Sequence, residues 1–380
     1  MTLVDTRSSL EAACHELAGA PSVYVDTEFE SSQRGTQLCL IQVTRNGEKI
    51  WLVDALRLTA LEPLADAIGS ATTQWVLHAG QQDLPLLLSR FRMARPPRLF
   101  DTQIAWALLG VEHSVSLAYL QYKLLGLRSS KPHQADDWVR RPLPASQLTY
   151  AAGDVAYLPA LHRELARRAT EQGRLSIIEQ ASLEALCPEP EPPAPLALES
   201  FRNAWQLDRH GQAALKFLIG WYNGLDARGR DFAPEPKTLL AIASRLPETR
   251  EELGRIKGVR RGFAEQHGEH LAGAIMRATA AADAGDFQSI EPPPYATLAE
   301  VRIEGWLAAA RADLAATLGV APELAFPGRL MRRLRDGLLA GKTITELTTA
   351  IEGWRAELLG KPLAAFAARN PPPAVAAAAA

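Results

Sequence analysis

Three short runs near the N-terminus limit the fold of this chain more than any other feature. Residues 22–26 (SVYVD), 37–43 (QLCLIQV) and 50–54 (IWLVD) are rich in β-branched and aromatic residues and bounded by turn formers, the pattern of strands. Between the second and third runs stands Arg45-Asn46-Gly47-Glu48. Asn-Gly tolerates the positive φ of a tight turn, so these two runs are expected to pair as a hairpin. A further run, 74–79 (QWVLHA), leads into a helical pattern over 83–91, and helical periodicity returns at 102–109, 117–125 and 146–170. Hairpin strands followed by alternating strand and helix predict an α/β domain with a mixed sheet.

Two proline-rich interruptions, 187–195 (CPEPEPPAP) and 291–294 (EPPP), break the chain where helices cannot continue. The organisation expected is an α/β domain at 1–186, a linker at 187–200, an all-helical domain at 201–286, a second linker at 287–297, a second helical domain at 298–369 and a disordered tail at 370–380. A chain of 380 residues is long enough to give each domain a core. Its net charge is −2, with balances of −5 over 1–200, +2 over 201–290 and +1 over 291–380. A binder driven by a basic tail is thereby excluded. The acid excess of the first segment suits both a multi-carboxylate site and an ordinary surface. No run approaches the ~18 to 20 apolar residues of a membrane span, and the N-terminus has no apolar signal segment. A soluble, cytoplasmic protein without a membrane partner is expected, and nothing in the sequence points to a stable protein partner. Cys14, Cys39 and Cys187 are odd in number and far apart, so any metal would be held by oxygen or imidazole rather than thiolate.

Four acids stand out. Asp26 and Glu28, at i and i+2 in the first strand, point to one face about 6.6 Å apart along the chain. Asp83 begins a helix directly after a strand, where it could serve as a cap. Tyr150 and Asp154, at i and i+4, project from one helical face. Acids delivered from separate elements, without Cys or clustered His, are the oxygen donors that hard divalent cations require. Two such ions can activate water and stabilise a leaving 3′ oxygen, which is phosphodiester hydrolysis.

The motifs VDTE (25–28), HAGQQDL (78–84), FDTQI (100–104) and LTYAAGDVAYL (148–158) together resemble the ribonuclease D family of DEDD 3′–5′ exonucleases, in the subgroup with Tyr four residues before the last Asp. The resemblance implies a ribonuclease H-like fold with Asp26, Glu28, Asp83 and Asp154 holding two divalent ions, Mg²⁺ or Mn²⁺, and Tyr150 orienting the attacking water. It further implies RNA as partner, precursor transfer RNA 3′ ends above all, with release of 5′-mononucleotides. A DNA 3′–5′ exonuclease or a non-catalytic RNA-binding scaffold would be the alternatives. Asp101 fits the family as a fifth acid and fits equally an N-cap for the helix at 102–109, the role favoured here; His78 is expected to be structural. Within 131–143 (KPHQADDWVRRPL), Lys131 and Arg141 are candidate phosphate contacts and Trp138 a candidate base platform, against a structural reading of the same residues. Residues 236–276 resemble an HRDC domain, a small helical nucleic-acid-binding module, on Trp221, Arg228, Leu239, Leu240, Ile242 and the Ile256-Lys257-Gly258 turn. Residues 298–369 look like a second, degenerate HRDC-like unit, in which Arg332, Arg333 and Arg335 form either an RNA stripe or a solvated face.

Overall fold

The computed structural model describes residues 1–380 except 33–34, 129–136, 189–194, 286–287, 293–295 and 375–380. Most of the first proline-rich segment, part of the second and the last six residues of the expected tail therefore lie outside the described residues. The chain divides into two compact units, Met1–Glu189 with Thr297–Ala380, and Pro190–Ala296.

The first unit is built, among the described residues, on six strands: β1 (Thr2–Val4), β2 (Ser22–Ser32), β3 (Gly35–Thr44), β4 (Ile50–Asp54), β5 (Gln74–Leu77) and β6 (Arg98–Asp101). Their order is β1-β4-β3-β2-β5-β6. The β2/β3 and β3/β4 pairs are antiparallel, and β1 with β4, β2 with β5 and β5 with β6 are parallel. The sheet is mixed, as expected, and the structure adds β1 and β6 at its edges. At the Asn-Gly turn, Thr44 Oγ1 accepts from the Asn46 and Gly47 amides at 3.3 and 2.9 Å. Gly47 has φ +84°, and a Cβ there would collide with the Ala156 carbonyl, so the turn requires glycine on both counts.

Among the described residues, eight helices flank these strands: α1 (Arg7–Leu17), α2 (Glu62–Ile68), α3 (Asp83–Phe91), α4 (Thr102–Leu109), α5 (Leu117–Leu125), α6 (Ala145–Ala156), α7 (Leu158–Glu171) and α8 (Leu175–Leu186). The single helix expected over 146–170 is thus two, because Pro159 cannot donate to the preceding turn and instead occupies the first turn of α7. α6 packs across β2, β3 and β4, while α8 lies on β6.

The C-terminal helices α14 (Leu298–Leu318), α15 (Pro322–Ala325), α16 (Gly328–Leu339), α17 (Ile344–Thr349) and α18 (Gly353–Arg369) follow five helices of the second unit: α9 (Arg209–Asn223), α10 (Ala227–Phe232), α11 (Pro236–Arg245), α12 (Arg250–Gly254) and α13 (Arg261–Asp283). Residues 298–369, expected to stand apart, instead share a compact unit and a continuous core with the α/β domain. Polar contacts tie the two parts together. The Ala321 amide donates to the Ala107 carbonyl at 2.7 Å, Arg174 donates to the Leu108 and Leu318 carbonyls, and Trp354 Nε1 donates to Glu184 at 2.7 Å. In the second unit, Leu215, Leu218, Leu239, Ile242, Leu253, Phe263 and Leu271 form one core. Arg228 lies on the short α10 and Trp221 on the longer α9, and Gly258 takes φ +97° in the turn against Thr238.

One buried ion pair braces the sheet. Arg141 grips both oxygens of Asp54 at 2.6 and 2.9 Å and donates to the Trp138 and Cys39 carbonyls at 2.7 and 3.0 Å. Burial would raise the Asp54 carboxyl, but the guanidinium outweighs it and holds the group below its ordinary value. Arg141→Met would leave a carboxylate only 2% exposed without its partner. A loss of about 3 kcal/mol is expected, read as a lower urea midpoint, with Arg141→Lys recovering only part of it because the two-pronged contact is gone.

Candidate metal centre

The strand β2 carries Asp26 and Glu28 on one face, just before a bulge between Glu28 and Phe29, and α6 lays Asp154 against that face. One carboxylate oxygen from each of Asp26, Glu28 and Asp154 lies within 4.8 Å of the others. Like charges this close disfavour ionisation. Burial first, then the charges of Asp83, Asp154 and Glu28, push the Asp26 carboxyl well above its ordinary range. Burial also raises Asp154 from 3.8 to about 6, against the lowering effect of a hydrogen bond from Tyr150.

Asp83 is close enough to act on Asp26 but is turned differently. Its Oδ1 accepts the Thr27 hydroxyl at 2.5 Å. Burial raises its carboxyl, and the Thr27 hydrogen bond opposes the rise. Three of the four expected acids therefore converge, and the fourth is held at their side by Thr27. Tyr150 lies one helical turn before Asp154 and is half-buried. Its hydroxyl is driven further up, by burial and then by Asp154, Glu28 and Asp26, so it stays protonated at neutral pH.

The donor set fits hard divalent cations: every group is a carboxylate, the oxygens converge, and their mutual repulsion would be relieved by positive charge. Thr27, 5% exposed, and Gln42 were not singled out in the sequence. Gln42 sits opposite Asp26 in the β2/β3 register and points Nε2 at Glu28 Oε1, 3.5 Å away. Its one visible signal is a polar side chain inside the apolar run LCLIQV.

Other expected residues have structural tasks. Asp101 caps α4, accepting from the Gln103 and Ile104 amides at 2.8 and 3.1 Å, and its second oxygen accepts from the Gly80 amide at 2.9 Å. His78 bridges Thr102 and the Val115 carbonyl at 2.9 and 3.1 Å. Trp138 is 2% exposed and leans on Tyr150 at 6.3 Å between ring centroids, so it anchors its loop and offers no face to a base. Arg141 is occupied by Asp54 and three carbonyls and has no fork left for phosphate. Lys131 lies outside the described residues.

The raised carboxyls set a pH dependence for the metal-free chain. A carboxyl whose folded value lies above its ordinary one favours the fold while protonated, and for Asp154 this stabilisation is lost as pH rises from about 4 through about 6. Asp154→Asn should remove the loss. In chelator at pH 8 the variant is expected to be more stable than the parent by up to about 3 kcal/mol, and at pH 4 the two should melt together. Divalent cation should raise the parent's melting temperature and leave the variant's nearly unmoved.

A family profile described as a 3′–5′ exonuclease matches residues 1–169, and one for the HRDC domain matches residues 235–275. The chain is 30% identical to the ribonuclease D of Pseudomonas paraeruginosa over 94% of each chain. It is 31% identical to that of Musicola paradisiaca, covering 95% of this chain and 97% of the relative. Among solved structures it is similar to Escherichia coli RNase D, described as an exoribonuclease involved in structured RNA processing, with a TM-score of 0.73 and 26% identity over 97% of this chain and 99% of that one.

Proposed function

The chain belongs to the ribonuclease D family and is a 3′–5′ exoribonuclease, and on that premise we propose that it trims the 3′ trailers of precursor transfer RNA, releasing 5′-mononucleotides, with Asp26, Glu28, Asp83 and Asp154 holding two divalent ions, Mg²⁺ or Mn²⁺. The observation that carries the reading is the convergence of three carboxylates beside a protonated tyrosine. The resemblance to an exoribonuclease of structured RNA supports the substrate. A non-catalytic scaffold would gain nothing from this pocket, since mutually repelling carboxyls destabilise the metal-free fold.

Asp26 and Glu28 come from one strand and Asp154 from the helix packed over it, so sheet and helix together define the pocket. Bound there, the ions supply acidity to the attacking water and offset charge gathering on the phosphate and the departing 3′ oxygen. Thr27 fixes the Asp83 carboxylate through its hydroxyl. Gln42 faces Glu28 from the neighbouring strand. Tyr150 keeps its proton, so it orients the water by hydrogen bonding and does not act as its base. The acids do not distinguish ribose from deoxyribose; the family assigns RNA. Competition between 3′-extended transfer RNA and a DNA of the same sequence tests the substrate: preferential trimming of the RNA, ending near the mature 3′ terminus, is expected, and equal digestion of both would overturn it.

A further inference from the structure

The loop over residues 137–142 is tied to both sides of the carboxylate pocket. Glu30, two residues beyond Glu28 on β2, accepts from the Trp138 amide at 3.0 Å. Arg141 donates to the Trp138 carbonyl at 2.7 Å, and Gln147 of α6, three residues before Tyr150, donates to the Asp137 carbonyl at 3.3 Å. The strand of Asp26 and Glu28 and the helix of Tyr150 and Asp154 thus hold one short loop between them. Within the loop, Asp137 accepts from the Val139 and Arg140 amides at 3.0 and 3.1 Å. The bulge beside Glu28 supplies a further anchor. Glu28 faces Leu40 and Phe29 faces Leu38, which leaves Cys39 as the extra residue of the pair. Arg141 takes the Cys39 carbonyl at 3.0 Å, so the loop is fastened where the strand departs from its ladder.

What these ties hold in place is an indole. Trp138 is buried and sets its ring against Tyr150 with centroids 6.3 Å apart and planes tilted by 37°, within the range of interacting aromatic pairs. The phenol is thereby fixed at both ends, by Trp138 along its ring and by the hydrogen bond from its hydroxyl to Asp154. Filling space does not account for a tryptophan here. Among the described residues its Nε1 is buried without a hydrogen-bond partner, a cost that an apolar side chain of similar bulk would avoid.

We propose that Trp138 is a positioning residue for the hydrolysis: held by Glu30 and Arg141, its indole sets the direction in which Tyr150 presents its hydroxyl to the attacking water. The proposal deepens the reading above and rests on Tyr150 orienting that water. Its test is a double-mutant cycle in the full-length chain, reading turnover of a 3′-extended RNA at saturating RNA and Mg²⁺. Trp138→Leu is expected to lower turnover roughly tenfold, part of the fall of roughly 10²-fold expected of Tyr150→Phe, with Mn²⁺ affinity close to the parent's. In the Tyr150→Phe background, where no hydroxyl remains to be aimed, the same change should alter turnover by less than about twofold. Trp138→Phe keeps an aromatic wall and should recover most of the parent's rate. Glu30→Ala loosens the loop without opening the core, and it carries the cycle if Trp138→Leu does not fold: a loss of about threefold is expected, again vanishing beside Tyr150→Phe. Equal losses in the two backgrounds would make Trp138 a packing residue and overturn the proposal, as would a parent-like rate in Trp138→Leu or, where that variant does not fold, in Glu30→Ala. Tyr150→Phe alone reports on the reading beneath. Parent-like turnover there would end water orientation by Tyr150 and the proposal with it, whereas a loss there combined with equal losses from the Trp138 change would sink the proposal and leave the role of Tyr150 standing.

Discussion

Asp26→Asn is expected to cut turnover of a 3′-extended RNA by about 10³-fold or more while leaving the fold intact, since it deletes an anionic ligand from the pocket and changes almost no volume. Asp26 is the acid on which the other three charges act together, so its loss should also be felt in the metal-free chain. In chelator, at a pH high enough to ionise the parent's Asp26, the variant should melt at a higher temperature than the parent, because a repelled carboxylate has been replaced by a neutral amide. Loss of turnover with a gain in stability is the signature of a residue kept for chemistry. Turnover above a tenth of the parent's would remove Asp26 from the centre; loss of turnover with loss of fold would make it a structural residue.

Tyr150→Phe should behave differently. It deletes one hydroxyl, held one helical turn from Asp154 and hydrogen-bonded to it, and this hydroxyl is not among the converging carboxylates. A fall of roughly 10²-fold in turnover is expected, in the range of positioning and acid–base groups. Mn²⁺ affinity, measured by calorimetric titration in the presence of a nucleotide, should stay close to the parent's, whereas Asp154→Asn should weaken it clearly. Because the phenol stays protonated at neutral pH, the parent's rate should show no alkaline limb from Tyr150 below about pH 10. Equal loss of metal in the two variants would make Tyr150 a ligand, and parent-like turnover in Tyr150→Phe would end its role in orienting water.

Much of the α/β unit is legible in the sequence because its information is local. The β2, β3 and β4 runs alternate or saturate with β-branched residues, Asn46-Gly47 marks the turn, and period-2 geometry puts Asp26 and Glu28 on one face. β1 and β6 escape because strands of three and four residues carry no periodicity of their own; each becomes a strand by pairing with β4 or β5. Pro159 is visible in the sequence, but the helical period over 146–170 masks the break it makes. The packing of 298–369 onto α4 and α8 rests on Arg174, Glu184 and the carbonyl of Ala107, which meet residues more than a hundred positions away, and proline-rich composition alone reads as separation.

At the site, residue type was a better guide for acids than for cations and aromatics. Trp138 and Arg141 have the chemistry of a nucleic-acid contact. Their actual partners, however, are Tyr150 and Asp54, and only the fold reveals that Asp54 is a buried acid in need of a cation. Thr27 was hidden between two more conspicuous neighbours, although its hydroxyl decides where the Asp83 carboxylate points. The meeting of Asp154 with Asp26 and Glu28 joins residues over a hundred positions apart, and in the sequence only the family resemblance connects them.

The central claim is that this pocket is a metal-dependent hydrolytic centre that works inward from an RNA 3′ end. Digestion of a 5′-labelled, 3′-extended transfer RNA, followed over time with Mg²⁺ or Mn²⁺, with chelator and with the Asp26→Asn chain, tests it most directly. The expected result is a ladder shortening from the 3′ end one nucleotide at a time, with 5′-mononucleotides as product, abolished by chelator, restored by added cation and absent with the variant. Internal fragments, cleavage that persists in chelator, or an undiminished ladder from Asp26→Asn would contradict it.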